Sequence, residues 1–240
     1  SADPDPSSRP ILRQLDLTIA IPAYDEIETL SDVVRDALAA LNALGVRGEV
    51  FLVDDGSIDG TGALADRLAA EDTRIVVAHH AANQGFSGAI RSALKGRKAD
   101  HVFLAPADGQ VPFSVLAGFW AARDDADVIV GVRRPRADSR WRRCLSWGFH
   151  LLSRVLLGVP LPEFTSALLL KRWVVELPII SRPRSAAALP ELMSRATLAG
   201  ARFKTIPFRH LPREGGVAKG GSLRVTLRTF ADIVRIAWTV

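Results

Sequence analysis

A single cysteine, Cys144, stands in a chain of 240 residues, which excludes an intrachain disulfide framework. Five histidines without a Cys/His spacing pattern argue against a structural zinc site. The lone cysteine fits a reducing, cytosolic setting. Long hydrophobic runs are missing too. Leu151 to Val159 is broken by Arg154 and the last apolar helical pattern by Asp232 and Arg235, short of the roughly 18 uninterrupted residues that a membrane span needs. Neither a Gly-Lys-Ser/Thr phosphate loop nor Gly-x-Gly-x-x-Gly follows the first predicted strand, which argues against a P-loop NTPase and a dinucleotide-binding dehydrogenase. No repeat or low-complexity tract interrupts the chain.

What is present is enough apolar residue, 48%, to bury a full core. The net charge is +5, from 31 basic and 26 acidic residues, with the basic residues crowded at Arg133 to Arg143 and Arg202 to Arg235. Such crowding suggests phosphate-rich partners. Nucleic acid is not expected, because the cations are not interleaved with an aromatic stacking platform. The chain opens at Ser1 without methionine and stops inside a helical pattern at Val240. Both ends therefore read as boundaries within a longer protein, with a transmembrane tail beyond Val240 left open.

After a polar leader, strands are predicted at Leu17 to Ile21, Val50 to Val53, Ile75 to Ala78, the run from His101 ending at Asp108, and Asp127 to Val132. Helices are predicted at about Ile27 to Leu44, from Asp59 or Thr61 to Ala70, and up to Leu94. Alternation of this kind implies a parallel sheet with helices on both faces and every strand's C-terminal end on one edge. Beyond Ser139, Trp141, Leu145, Phe149, Leu152 and Leu156 recur at helical spacing beside Arg140, Arg142, Arg143 and Arg154. This pattern fits a core-packing helix or one lying on an anionic membrane. Thr165 to Leu170 and Arg202 to Pro207 read as strands, Ala186 to Ala199 and Leu223 to Trp238 as helices. Arg213 to Gly221, four glycines beside two cations, reads as a mobile phosphate-closing loop or a solvated connector.

The predicted edge gathers Tyr24, Glu26, Asp54, Asp55, Asp108, Gln110 and Arg133, and ligands of open α/β sheets bind there. On an extended segment Asp108 and Gln110, two residues apart, face one way and offer oxygen ligands suited to Mg or Mn. The same residues also fit a strand followed by a polar turn. His79 and His80 read as strand-end residues and Cys144 as a packed one.

In order along the chain, Ile21-Pro22-Ala23-Tyr24-Asp25-Glu26, Val53-Asp54-Asp55-Gly56-Ser57-Ile58-Asp59-Gly60-Thr61, Asn83-Gln84-Gly85 and Ala107-Asp108-Gly109-Gln110 resemble the inverting family 2 glycosyltransferases. Gly131-Val132-Arg133 and the Arg213 to Lys219 loop are most similar to the dolichyl-phosphate mannose synthase and polyprenyl-phosphate glycosyltransferase branch. The resemblance implies an α/β, Rossmann-like GT-A fold, a mostly parallel sheet sandwiched by helices with C-terminal amphipathic helices. The expected organisation is a leader over 1–15, the GT-A domain over 16–212, and a basic loop with a helix over 213–240.

By the same resemblance, Pro22, Tyr24, Glu26, Val53, Asp54, Asp55 and Ala107 would form the nucleotide pocket, and Asp108 and Gln110 would ligate Mg or Mn. Asp108, Arg133, Arg213 and Lys219 would carry the transfer of a hexose from a UDP- or GDP-sugar to an isoprenoid phosphate at the inner membrane face. A soluble acceptor, or a nucleotide-binding homologue without catalysis, is the alternative. Three positions depart from the family pattern. Pro106 stands where the first acid of Asp-x-Asp is usual. Glu163-Phe164-Thr165-Ser166-Ala167-Leu168 lacks the branch's arginine, and Ala188-Leu189-Pro190-Glu191 lacks the aromatic and glutamine before its glutamate.

Overall fold

A computed structural model describes residues 15–134, 140–182, 184–212 and 223–239. Its chain order is β1 (Leu17–Ala23), α1 (Leu30–Leu44), β2 (Gly48–Asp54), α2 (Thr61–Glu71), β3 (Ile75–His79), α3 (Phe86–Lys95), β4 (His101–Leu104), α4 (Leu116–Ala121), β5 (Val128–Arg133), α5 (Arg140–Leu157), β6 (Leu168–Lys171), α6 (Arg172–Val175), α7 (Ala188–Leu198), β7 (Phe203–Phe208) and α8 (Leu223–Ala237). The seven strands form one sheet in the order β3-β2-β1-β4-β6-β5-β7. All its pairings are parallel except those of β6, which runs antiparallel to both β4 and β5. The expected α/β, mostly parallel sheet between helices is therefore present, with one reversed strand that the sequence pattern did not disclose.

The strands are apolar on both sides because both faces are covered. Ile19, Ile21, Leu52, Phe103 and Ile129 point into one core with Val33, Ala37 and Leu41 of α1 and Leu116 and Phe119 of α4. Ala20, Val53, Val102, Val130 and Leu168 point the other way, against α3, α7 and Ile233 and Ile236 of α8. Phe103 is fully buried, edge-on to Phe113 and Phe119, at ring centroid distances of 6.1 and 5.4 Å.

α5 departs from the predicted face. Phe149 and Leu152 are half-buried against the core, yet Trp147, Leu151 and Val155, spaced one turn apart, are exposed on a second apolar row. The side chains of Trp141 and Leu145 lie outside the described ones. Among the described residues no helix is long and apolar enough to cross a membrane.

Candidate functional site

Two turns at the carboxyl edge are stitched together by short polar side chains. Past β1, Asp25 takes a left-handed conformation at φ +49°, which Asp tolerates better than most residues. Its backbone N–H donates to Ser57 Oγ at 2.9 Å, and its Oδ1 accepts from the Ile58 N–H at 2.8 Å. Glu26 N–H donates to Thr61 Oγ1 at 2.8 Å and Ile27 N–H to Asp59 Oδ2 at 3.2 Å. These bonds fix residues 25–27 against the β2 turn, residues 27–29 form a turn of their own, and α1 begins at Leu30 rather than near Ile27. Gly56, at φ +69°, lies so near the backbone of Ala82 that a Cβ would come within 2.6 Å of its carbonyl carbon. Much of the Asp-rich pattern is thus scaffold, holding the β1 and β2 ends in register.

Asp54 and Asp55 are both buried, and each faces a histidine from the end of β3. Asp54 Oδ2 lies 3.0 Å from His79 Nδ1, while His79 Nε2 lies 2.9 Å from Asp66 Oδ1 on α2. Burial pushes the Asp54 carboxyl up, but hydrogen bonds from Ser57 and His79 outweigh it and hold the carboxyl below the ordinary range. The Asp54 carboxylate, then Asp66, raises the His79 imidazole above its ordinary value. Gly62 makes room for this pair, since a Cβ there would sit 2.6 Å from Asp54 Oδ2.

Asp55 has more partners. Its oxygens meet His80 Nδ1 at 2.6 Å and accept from Asn83 Nδ2 at 3.1 Å and from the Gln84 and Gly85 N–H groups, each at 2.9 Å. Asp55 is therefore the organiser of the Asn83-Gln84-Gly85 loop. Sequence reasoning missed the two histidines. The available signal was register: a parallel partner strand whose last pair sets His79 beside Asp54, with His80 and Asp55 one residue further on.

β4 ends at Leu104, not at Asp108. Pro106 has no N–H to continue the ladder, and the Ala107 carbonyl accepts from Thr29 Oγ1 at 2.7 Å instead. Asp108 to Gln110 is consequently a bend, with Gly109 at φ +71° and the Gln110 N–H donating to Asp108 Oδ1 at 3.1 Å. The extended, same-side presentation expected of Asp108 and Gln110 is replaced by this Asx-type turn. Gln110 also donates through Nε2 to the Leu211 carbonyl at 3.3 Å and accepts from the Leu211 N–H at 3.0 Å, which ties the bend to the chain after β7.

The remaining expected residues divide. Tyr24 and Glu26 are half-buried at the edge, and Pro22 lies in β1 opposite Val53. Val53 and Ala107 are buried, and Val53 packs into the core, so toward a ligand it offers backbone only. Arg133, at the end of β5, is ion-paired with the buried Glu163. Arg213 and Lys219 lie outside the described residues. A cavity of about 520 Å³ opens beside the edge, between α1 and residues 109–117, with Thr29, Gly109, Phe113 and Leu211 in its wall.

Among the described residues no three His, Cys, Asp or Glu side chains assemble into a metal cluster. The residues expected to hold Mg or Mn, Asp108 and Gln110, offer one carboxylate and one carboxamide oxygen on this bend. Such ions commonly take one or two protein carboxylates and draw their other ligands from phosphate and water. Gly109, between the two, has nothing within 4 Å of where a Cβ would lie.

An α/β sheet with carboxylates and a glycine-bearing bend at its carboxyl edge has them where ligands of open α/β sheets bind. Comparisons with known proteins supply the family. The model of glycosyl transferase family 2 matches residues 18–174, and the chain belongs to that family. Similar curated proteins include the undecaprenyl-phosphate 4-deoxy-4-formamido-L-arabinose transferases of Salmonella paratyphi A and Salmonella dublin. Each is 29% identical over 212 residues, which are 87% of this chain and 64% of theirs. The chain thus spans 64% of the length of these relatives.

Among solved structures, glucosyl-3-phosphoglycerate synthase from Mycobacterium tuberculosis, in complex with phosphoglyceric acid, superposes with a TM-score of 0.68. It is 15% identical, over 93% of this chain and 80% of that one. A mannosyltransferase from Pyrobaculum calidifontis, in complex with GDP-Man and Mn2+, gives 0.60 at 18% identity, over 95% and 74%. These likenesses establish the expected GT-A fold.

Proposed function

We propose that this chain is an inverting, metal-assisted glycosyltransferase that moves a hexose from a nucleotide-diphosphate sugar to an isoprenoid phosphate at the cytoplasmic face of a membrane. The observation that carries it is the assembly of Tyr24, Glu26, Asp54, Asp55 and Asp108 at one sheet edge of a family 2 chain. Pro22, Tyr24, Glu26 and the Asp54–Asp55 turn would receive base and ribose, with Val53 and Ala107 contributing backbone. A divalent cation held by Asp108 and Gln110 would supply charge stabilisation to the departing diphosphate. Arg133, steadied by Glu163, together with Arg213 and Lys219, would hold donor and acceptor phosphates. Each such charged contact contributes about 1.5 to 3 kcal/mol. A phosphate acceptor is already anionic at neutral pH, so one in-line displacement needs no strong general base and inverts the sugar carbon.

The names of the curated relatives support an undecaprenyl-phosphate acceptor. So do the exposed apolar rows, Trp147, Leu151 and Val155 on α5 and Leu227 and Phe230 on α8 with Trp238 just past its end, which suit a helix pair resting on lipid. A soluble acceptor is the second reading, favoured by the phosphoglyceric acid bound in the mycobacterial synthase. Calorimetric titration with UDP and with GDP, each with and without Mn, tests the donor site. Binding of one nucleotide that needs Mn and disappears in Asp108→Ala is expected. Binding indifferent to both would remove the proposed donor site.

A further inference from the structure

Asp54 and Asp55 lie side by side past the end of β2, yet they stand differently toward a ligand. An ionised carboxylate has about four lone-pair positions. The oxygens of Asp55 meet His80 Nδ1, Asn83 Nδ2 and the N–H groups of Gln84 and Gly85, which fill those positions. Asp54 has fewer partners. They are Ser57, whose N–H donates to Oδ1 at 3.1 Å, and His79, whose Nδ1 lies 3.0 Å from Oδ2. Of the two carboxylates, Asp54 is the one with a lone pair left for an N–H or O–H of a nucleotide.

His79 is itself held twice. Its Nδ1 faces Asp54 of β2, and its Nε2 lies 2.9 Å from Asp66 Oδ1 of α2. Ionised carboxylates accept and do not donate, so the ring satisfies both only with a proton on each nitrogen. The contacts thus select the imidazolium, and the raised value of His79 agrees. The charged groups facing the ring are those two carboxylates. The adjacent His80 is turned away, toward Asp55 and Ser92. Gly62 of α2 brings no charge, and a Cβ there would lie 3.3 Å from His79 Nδ1. Exposure rises along the series, with side chains 8% exposed at Asp54, 40% at His79 and 65% at Asp66. The ring can therefore trade its proton with water while the carboxylate behind it stays covered.

We infer that His79 and Asp66 are positioning residues of the nucleotide site: the His79 imidazolium, oriented by Asp66, aims the Asp54 carboxylate at the nucleotide and offsets its charge. The inference rests on the reading that places base and ribose at Asp54, and it extends that site to two residues behind it. Glu26, Asp54, Asp55 and Asp108 bring acid to an edge that has to receive an anionic diphosphate. A cation in hydrogen-bond contact with Asp54 reduces that repulsion and fixes the carboxylate's orientation. Deprotonation would leave one N–H for two carboxylates, so one of them would face a bare lone pair. Nucleotide affinity is accordingly greatest below the folded His79 value and declines as pH rises through it.

The test is calorimetric titration of UDP and GDP with Mn against wild type, His79→Gln and Asp66→Asn between about pH 5.5 and 8.5, with the imidazole C–H resonances followed by NMR. At each pH all three proteins meet the ligand in the same ionisation state, so ratios of affinity isolate the ring. Wild type is expected to bind nucleotide roughly tenfold more tightly than His79→Gln at about pH 6, with the ratio falling severalfold by about pH 8.5. Asp66→Asn, an exposed change that leaves the fold intact, should retain most of the affinity at about pH 6 and move both the His79 titration and the decline in affinity to lower pH. A histidine that only braces the fold would lower affinity by one factor at every pH. That result, or equal binding by wild type and His79→Gln throughout, overturns the assignment and leaves the donor site standing. Absence of nucleotide binding by wild type at every pH removes the transferase reading and this role with it.

Discussion

Asp55 and its neighbour Asp54 do different work although they are adjacent in sequence. Removing Asp55 leaves His80, Asn83 and two backbone N–H groups without their acceptor, so Asp55→Ala should cost about 2 to 4 kcal/mol, read as a lower urea midpoint. Asp54 and His79 form a titrating pair. The His79 value is raised on folding, so its stabilisation is complete below the unfolded imidazole value of about 6.5 and is lost as pH climbs through the folded value. The Asp54 value is depressed, so its share is present above about 3.9 and is lost as pH falls through the folded value. The pair therefore contributes most between about pH 4 and 6.5. Thermal unfolding of His79→Gln beside wild type should give a gap that narrows as pH rises from about 5 to about 8; a gap constant over that range would mean the ring is neutral throughout. Gly62→Ala presses on the same pair and is expected to cost about 1 to 3 kcal/mol and to weaken nucleotide binding, both accessible by calorimetry.

Elements with strong local signals were legible. β1, β2, β3, α2, α3 and α8 fall within three residues of where periodicity and turn residues put them, because apolar alternation and Asp/Gly punctuation act locally. Gathering Tyr24, Glu26, Asp54, Asp55, Asp108, Gln110 and Arg133 at one edge followed from the βα alternation alone. What local pattern cannot carry is pairing across distance. β6 reads as another short apolar strand, and nothing in Leu168 to Lys171 says that it lies antiparallel between β4 and β5. The Arg133–Glu163 pair was hidden for the same reason: its members are 30 residues apart. The early end of β4 was written in Pro106, whose missing N–H competes with the apolar pattern before it. At this scale Asp232 is the informative position. Asp232→Ala unties α8 from the connector before α7, and hydrogen exchange should report faster amide exchange in α8 while β1 and β2 stay protected.

For the whole molecule, an excess of basic residue and two apolar rows on neighbouring helices predict association with anionic bilayers. Sedimentation with phosphatidylglycerol vesicles should capture the chain at low salt and release part of it as salt rises, with neutral vesicles capturing less. Replacing Trp147 and Phe230 together with glutamate should lower vesicle affinity roughly tenfold or more, since each aromatic would otherwise leave water. Nucleotide binding measured on the same variant separates lost docking from lost folding.

The reversed strand has a further consequence in time. On the ribosome, β1 to β5 emerge before β6, yet β4 and β5 have no direct pairing and cannot join without it. Until Lys171 is synthesised, the nascent sheet carries a raw hydrogen-bonding margin along Val102 to Leu104, a place where other chains can add themselves. Translation that stalls in α5 should therefore yield an aggregating product, whereas synthesis of β6 closes that margin and leaves only the outer side of β5 to await β7. The family match ends at residue 174, just past that closure.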